Sequence, residues 1–312
     1  MKKVLITGGA GYLGSVLTEH LLNTGYKVTV LDNLMYKQTS LLHMCSNPHF
    51  NLIKGDVTDK TLLTSMLEQC DIVIPLAAIV GAPACDSDVE LATKVNFGQI
   101  QNIVDNLRSD QKLIMPNTNS QYGSSPDIIT EDSPFNPISH YAVTKCNAEN
   151  YIMKSGNGIC LRLATVFGAS PRMRTDLLVN DFVHKTITDG CLVLFQSHFK
   201  RNYIHVKDIA KTFLFCIERY EKLKGEVFNV GLSDANLNKK ELAEKINVYF
   251  PDLVIIENEF SSDFDNRNYI VSNEKLEKHG WAPQHSLDDG IMELIDAYKM
   301  IITHNNRNFT NL

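Results

Sequence analysis

Lys3-Val4-Leu5-Ile6-Thr7-Gly8-Gly9-Ala10-Gly11-Tyr12-Leu13-Gly14 is the stretch whose reading decides the fold. A short aliphatic run passes directly into glycines at 8, 11 and 14, and a helical pattern opens at Tyr12. Each glycine has a physical task. One lets the chain turn, one lets backbone N–H groups approach a pyrophosphate, and one lets helix and strand pack closely. The helix N-terminus adds partial positive charge for the phosphates. Eighteen residues after Gly14, Asp32 ends a second apolar run. A carboxylate there accepts hydrogen bonds from the adenosine ribose and repels a 2′-phosphate, which favours NAD over NADP. The expected cofactor contacts are therefore Gly8, Gly11, Tyr12, Leu13, Gly14, Asp32 and Asn33, with Asp56-Val57 at the adenine edge.

Outward from this turn the chain alternates. Strands are expected at Lys3–Thr7, Lys27–Leu31, Asn51–Lys54, Ile72–Leu76, Lys112–Met115 and Gly158–Leu163, and helices at Tyr12–Thr24, Thr58–Glu68, Val89–Arg108 and Tyr141–Lys154. Near-continuous apolar strands alternating with helices predict an α/β fold, a Rossmann-type doubly wound parallel sheet. After Gly168 the rhythm breaks, and Ala169–Arg201 reads as less regular. A strand at Asn202–Val206, a helix at Lys207–Tyr220 and a strand at Glu226–Val230 follow. Beyond them come a helix at Lys239–Phe250, a polar loop at Glu257–Asn268 and a terminal helix at Leu287–Ile302. The expected division is a dinucleotide-binding domain over 1–168, to which 206–230 returns, and a smaller mixed α/β C-terminal lobe over 169–312. The Asn-rich tail His304–Leu312 reads as frayed.

Composition narrows the partners. The 312 residues are 44% hydrophobic, ample for a buried core, which excludes disorder over most of the chain. Thirty Lys and Arg against 36 Asp and Glu give a net charge of −6 with no dense basic block, which argues against nucleic acid or an anionic membrane. Ile72 to Ala84, the longest nearly apolar run, is too short to span a bilayer and holds Pro75, Gly81 and Pro83. Met1-Lys2-Lys3 is followed by no cleavage site of the secretory kind. Seven scattered cysteines without a C-x-x-C pair predict neither disulfides nor a metal site. A cytoplasmic protein is expected.

A second motif carries chemistry. In Tyr141-Ala142-Val143-Thr144-Lys145 the tyrosine and lysine share one helix face. A phenol is a poor base at neutral pH. Bringing it to about 7 takes roughly 4 kcal/mol of phenolate stabilisation, which an ammonium and an oxidised nicotinamide could supply. Tyr203/Lys207 and Tyr220/Lys224 share the spacing, but one lies in a strand and the other at a charged helix end. Only Tyr141 follows the fifth strand, which ends in Asn117-Thr118-Asn119-Ser120-Gln121-Tyr122-Gly123. Thr118 offers either a capping hydroxyl or a partner for the oxygen that Tyr141 deprotonates.

With these motifs in place, the chain resembles the extended short-chain dehydrogenase/reductase family, the nucleotide-sugar epimerases and dehydratases. The resemblance runs through the glycine turn, Gly55-Asp56-Val57-Thr58-Asp59, Leu76-Ala77-Ala78, Asn96, Tyr122-Gly123, Glu131, Pro134, Pro137, Ser139-His140-Tyr141, Lys145, Leu161-Arg162 and Phe167-Gly168. It continues through Arg201-Asn202-Tyr203-Ile204-His205-Val206-Lys207-Asp208, Phe228-Asn229-Val230-Gly231, Asp265-Asn266-Arg267 and Gly280-Trp281-Ala282-Pro283. It implies Tyr141 as general base, Lys145 as the lysine that binds the nicotinamide ribose and tunes it, and Thr118 as hydroxyl partner. Leu76, Ala77, Ala78 and Asn96 join the cofactor contacts, with NAD tightly held. Arg201 and Arg267 clamp a sugar diphosphate, Asn180 and Thr118 also contact the substrate, and 169–312 is the nucleotide-sugar lobe. A homodimer through Val89–Arg108 and Tyr141–Lys154 is implied as well. His205 reads as a packed structural residue.

The departures are specific. The dehydratases' acidic pair after the catalytic Thr is Asn119-Ser120 here, which disfavours dehydration. Pro75 and Thr165 replace a usual His and Asn, and Pro83-Ala84-Cys85 and Pro171-Arg172-Met173-Arg174 point to a subgroup of its own. Cys85 reads as a small buried apolar residue. With its Asn-Thr-Asn-Ser strand the chain is similar to the GDP-heptose 4-dehydrogenase type of bacterial capsule biosynthesis. A 4-epimerase is the runner-up, and a 4,6-dehydratase or a non-catalytic NAD-binding regulator ranks lower.

Overall fold

The computed structural model describes residues 1–258 and 267–301. In the first half, β1 (Lys3–Thr7), α1 (Tyr12–Asn23), β2 (Lys27–Asp32), β3 (Phe50–Lys54), α2 (Lys60–Leu67) and β4 (Ile72–Pro75) follow in order. Then come α3 (Ala82–Ser87), α4 (Val89–Thr93), α5 (Gln99–Asn106), β5 (Lys112–Thr118), β6 (Ile128–Ile129), α6 (His140–Ser155) and β7 (Ile159–Leu163). The second half holds β8 (Thr165–Phe167), α7 (Leu178–Asp189), β9 (Cys191–Phe195), β10 (Lys200–His205), α8 (Val206–Glu218), α9 (Tyr220–Leu223) and β11 (Val227–Val230). It ends with β12 (Asn236–Asn238), α10 (Lys239–Asn247), β13 (Val254–Asn258), β14 (Ile270–Val271), α11 (Glu274–Lys278) and α12 (Leu287–Ile301).

Seven strands form one sheet in the order β3-β2-β1-β4-β5-β7-β11, every pair parallel. Because side chains alternate across a strand, neighbouring residues feed two separate cores. Val4, Ile6, Ile72, Ile74 and Ile114 pack with Leu17 and Leu21 of α1 and Ile209 and Phe213 of α8. Leu5, Val73, Leu113 and Met115 pack on the other face with Leu63 and Leu67 of α2, Ile100 and Ile103 of α5 and Ile152 of α6. Burial on both faces is why these strands read as unbroken apolar runs. β11 joins the far edge beside β7, so the chain returns to the sheet after leaving it.

The remaining strands form three smaller sheets. β10 pairs parallel with β8 and antiparallel with β12, while β9 pairs with β13 and β6 with β14. Two expectations need correction. Ala169–Arg201 is not irregular throughout, since it holds α7 and β9. The expected single helix Val89–Arg108 is broken by a π-helical turn at Lys94–Gly98. That turn swings the Asn96 amide inward, where it donates to Ile79 O at 3.0 Å and accepts from Ile79 N at 2.8 Å. Within the expected polar loop Glu257–Asn268, residues 259–266, which carry Asp265 and Asn266, lie outside the described residues, as does the tail 302–312. Among the described residues no helix is long and apolar enough to cross a membrane.

Candidate active site

The chain winds from β1 outward to β3 and then back to β4 on the other side of β1. At such a switch point the loops after neighbouring strands diverge and leave a crevice at their carboxyl ends. A cleft of about 1200 Å³ opens there. It exceeds the roughly 300–1,000 Å³ usual for one small ligand, so two can lie side by side.

One half is built for a dinucleotide. Gly8 has φ of 69°, and a Cβ there would stand 2.6 Å from Cα of Ala77. A Cβ on Gly14 would meet Gly8 O at 2.5 Å, so α1 seats directly on the turn. No side chain caps Gly11 at the start of α1, which leaves first-turn N–H groups for an anion. Asp32 accepts from Ala10 N at 2.9 Å and Leu34 N at 2.8 Å. Burial raises its pKa while those N–H groups oppose the rise. The carboxylate still lines the cleft, so it retains lone pairs for ribose hydroxyls. Asn33, Asp56, Val57, Leu76, Ala77 and Ala78 complete this wall, with Tyr12 and Leu13 from α1.

At the far end of the same cleft stand Thr118, Tyr141 and Lys145. Thr118 closes β5, its Oγ1 accepting from Ser120 N at 3.1 Å and donating to Ser120 Oγ at 2.9 Å. It both caps the short 3₁₀ turn Asn119–Tyr122 and faces the cleft. Ser139 caps α6 by accepting from Ala142 N at 3.2 Å, which fixes Tyr141 in the first turn. Burial pushes the Tyr141 phenol up to about 12, with Cys85 adding to the rise and Arg174 and Arg267 opposing it. Lys145 Nζ donates to Pro116 O at 2.7 Å, and burial lowers its pKa to about 8. The lysine is thus charged at neutral pH, yet anchored to the strand rather than to Tyr141.

The other half is cationic. Arg174 and Arg267 line it with Leu177 and Tyr269, while Arg172, its guanidinium 5.1 Å from the Tyr36 ring centroid, borders the dinucleotide half. Arg267 Nη1 donates to Ser120 Oγ, and Arg174 forks onto Asp176 at 3.0 and 2.6 Å. Three expected contacts are not brought to the cleft. Asn180 is buried, and its amide accepts from Gly168 N and donates to Gly168 O and Arg174 O. Arg201 is buried behind Tyr269, its guanidinium 5.5 Å from the ring centroid, and donates to Lys200 O. Asn96 braces Ile79 and donates to Thr144 Oγ1 at 3.2 Å. Each braces its neighbours, and none of the three lines the cleft.

Comparison with known proteins identifies the group. The "NAD dependent epimerase/dehydratase family" pattern matches residues 4–231. The chain belongs to this family. NAD is accordingly the dinucleotide that the glycine turn, α1 and Asp32 fit. Similar family proteins include the low-salt glycan biosynthesis protein Agl12 of Haloferax volcanii, 26% identical over 95% of this chain and 98% of its own length. The UDP-N-acetyl-alpha-D-glucosaminuronate decarboxylase of Bacillus cytotoxicus is 27% identical over 96% of this chain and 98% of its own. Among solved structures, the UDP-glucuronic acid 4-epimerase of Bacillus cereus, in complex with UDP-glucuronic acid and NAD, is 25% identical with a TM-score of 0.83, covering 96% of this chain and 99% of that one.

Several residues on which the sequence resemblance rests hold the site from behind. Arg162 on β7 and Glu149 on α6 form a buried pair at 2.5 Å. Arg162 also donates to Tyr122 Oη at 2.6 Å and Glu131 O at 2.9 Å, and Tyr122 donates to Asn229 at 2.7 Å. Asn117, next to Thr118, donates to Glu149 at 2.6 Å. One network thus ties the end of β5 to α6, the elements that carry Thr118 and Tyr141. His205 is packed, as expected: buried, stacked 4.5 Å from His285 and 2.8 Å from Glu293. Arg172, Arg174, Tyr36 and Tyr269 line the cleft without having been singled out as ligands. The Pro171–Arg174 departure was the one sequence signal pointing at two of them.

Proposed function

We propose that the protein oxidises the C4 hydroxyl of a nucleotide-activated sugar to a 4-keto sugar. The observation that carries this reading is the shared cleft: the dinucleotide cradle, the Thr118–Tyr141 pair and a cationic wall open into one space. Tyr141 takes the O4 proton, Thr118 holds the same oxygen, and Lys145 supplies positive charge from the floor. NAD, held by the glycine turn and Asp32, would supply the hydride acceptor when bound in its oxidised form. Arg201 and Arg267 neutralise the diphosphate, for which guanidinium forks are suited, with Arg174 alongside Arg267 on the cleft wall. Residues 1–168 with 206–230 act as the NAD-binding domain, and 169–312 supplies most of the sugar-nucleotide wall.

The fate of the ketone separates two readings. Release makes a 4-dehydrogenase, for which the similarity to the GDP-heptose 4-dehydrogenase type speaks. Return of hydride to the other face makes a 4-epimerase, which the likeness to the Bacillus cereus 4-epimerase favours. A C4 ketone also acidifies C5 and activates a C6 carboxylate for loss, so dehydratases and decarboxylases are chemically close. Dehydration needs an acid–base pair after Thr118. Asn119 has its amide buried away from the cleft, and Ser120 offers only a hydroxyl. A homodimer through α4, α5 and α6 is part of this proposal; Val89 and Val143 are exposed there, and light scattering tests it.

The test is a panel of GDP-, UDP-, dTDP- and CDP-sugars followed by borodeuteride trapping. Deuterium at C4 supports a released ketone, and an inverted unlabelled C4 supports epimerisation. A deoxy C6 overturns the exclusion of dehydration. Tyr141→Phe should lose nearly all turnover while still binding nucleotide sugar, whereas a regulator would lose nothing.

A further inference from the structure

Two segments that neither motif accounts for reach across the NAD half of the cleft from opposite sides. The loop after β2 folds back over the glycine turn: Ser40 Oγ donates to Ala10 O at 2.7 Å, and Gln38 Nε2 to Asp32 at 3.3 Å. Two of its non-glycine residues, Leu34 and Lys37, adopt left-handed backbone with φ of 54° and 53°, a strain that surrounding structure must hold in place. The segment after β8 is fastened to the first turn of α1. Tyr12 Oη donates to Gly168 O at 2.7 Å, Ser170 Oγ donates to Tyr12 O at 2.7 Å, and Ser170 and Ser15 hydroxyls lie 3.1 Å apart. Both arms are thus pinned beside the N-terminus of α1, where a pyrophosphate is drawn.

They come together at Arg172, whose Nη1 also donates to Met173 O at 2.6 Å. The Arg172 guanidinium lies 5.1 Å from the Tyr36 ring centroid, and both residues line the cleft. Arg172 is 4% exposed, so this cation is held inside rather than displayed to solvent. We propose that the Arg172–Tyr36 contact is a clasp over bound NAD, with Arg172 placed against the cofactor's pyrophosphate and Tyr36 holding the guanidinium flat. The chemistry is suited to the task. A guanidinium meets phosphate oxygens bidentately and stacks on an aromatic face at the same time. Burial and the neighbouring charge of Arg174 press the Arg172 pKa below its ordinary value, a penalty that an adjacent diphosphate offsets. The inference concerns retention of NAD and is independent of which sugar is oxidised.

The readout is cofactor release, not turnover. Holoenzyme loaded with NADH is mixed with excess NAD+, and loss of bound-NADH fluorescence gives the dissociation rate. Arg172→Met and Tyr36→Ala should each release NADH about tenfold faster, and Tyr36→Phe should match the wild type. The double variant should be no faster than the faster single, since the two act as one unit. Arg172→Met should also weaken ADP-ribose about tenfold while leaving adenosine unchanged. Arg172→Lys, which keeps charge but loses the fork, should fall between, and it carries the test if the methionine variant does not fold. Wild-type release rates in both folded single variants would overturn the proposal. So would a Tyr36→Ala protein that binds NADH faster and more tightly, because the ring would then be an obstruction.

Discussion

Replacing Lys145 by Met should move the acid limb of the turnover–pH profile upward by about 3 pH units. In the protein alone, burial pushes Tyr141 up to about 12. A base working near neutrality needs a pKa about 5 units lower, roughly 7 kcal/mol of phenolate stabilisation. One cation about 4 Å away at an effective dielectric near 20 supplies about 4 kcal/mol, a position Lys145 would take by leaving Pro116 O. One is therefore insufficient and two suffice. The chain provides Lys145, whose pKa of about 8 keeps it protonated at neutral pH. The second positive charge comes with the oxidised cofactor. Deleting the ammonium removes about 4 kcal/mol, which at 1.36 kcal/mol per unit is about 3 units. The assay is initial rate under saturating sugar nucleotide across the neutral and alkaline range. Difference absorbance of the tyrosinate, referenced to Tyr141→Phe, reports the same titration without turnover. If Lys145→Met lowered the rate uniformly and left the acid limb in place, the electrostatic role of Lys145 would be refuted.

Other consequences follow from buried charge and tight packing. Glu149→Gln leaves Arg162 buried without its carboxylate and should cost about 3–5 kcal/mol in urea unfolding; pairing it with Arg162→Met should recover part of that loss. Glu293 resists its own burial through hydrogen bonds from His205, Lys207 and Ala169 N, which hold its pKa at about 2. A depressed carboxylate stabilises the fold above its ordinary pKa of 4.5 and loses that contribution as pH falls toward 2. In Glu293→Gln, the pH-dependent loss across that window should shrink by on the order of 2 kcal/mol, read from urea midpoints. Gly14→Ala would place a methyl 2.5 Å from Gly8 O, so the purified variant should carry no NAD, as read from absorbance of the denatured supernatant.

How much of this was legible in the sequence follows from which forces act locally. The parallel sheet could be read because burial on both faces makes each strand an apolar run, and the glycine turn because only glycine fits against Ala77. The smaller sheets were harder. Their strands β6, β8 and β14 are two or three residues long, too short to show a period. Tyr141, Lys145 and Thr118 stood out by spacing and by following a strand end. Asn96, Asn180 and Arg201 carry the right chemistry for ligands, but sequence does not reveal the backbone groups to which their side chains also bond. Arg172 and Arg174 were hidden for the opposite reason: cations in a segment without periodicity look like ordinary surface charge. The Arg162–Glu149 pair joins a strand to a helix, so no single element's pattern encodes it.

The central claim is that hydride leaves C4 of a sugar nucleotide for NAD in this cleft. It is tested most directly by a single turnover on substrate carrying deuterium at C4, with the cofactor then released and weighed by mass spectrometry. Deuterium in the recovered NADH, lost in Tyr141→Phe, is the predicted result. Product with C4 deuterium retained and C4 configuration unchanged, beside unlabelled NAD, would contradict the account, whereas retained deuterium at an inverted C4 is the epimerase outcome.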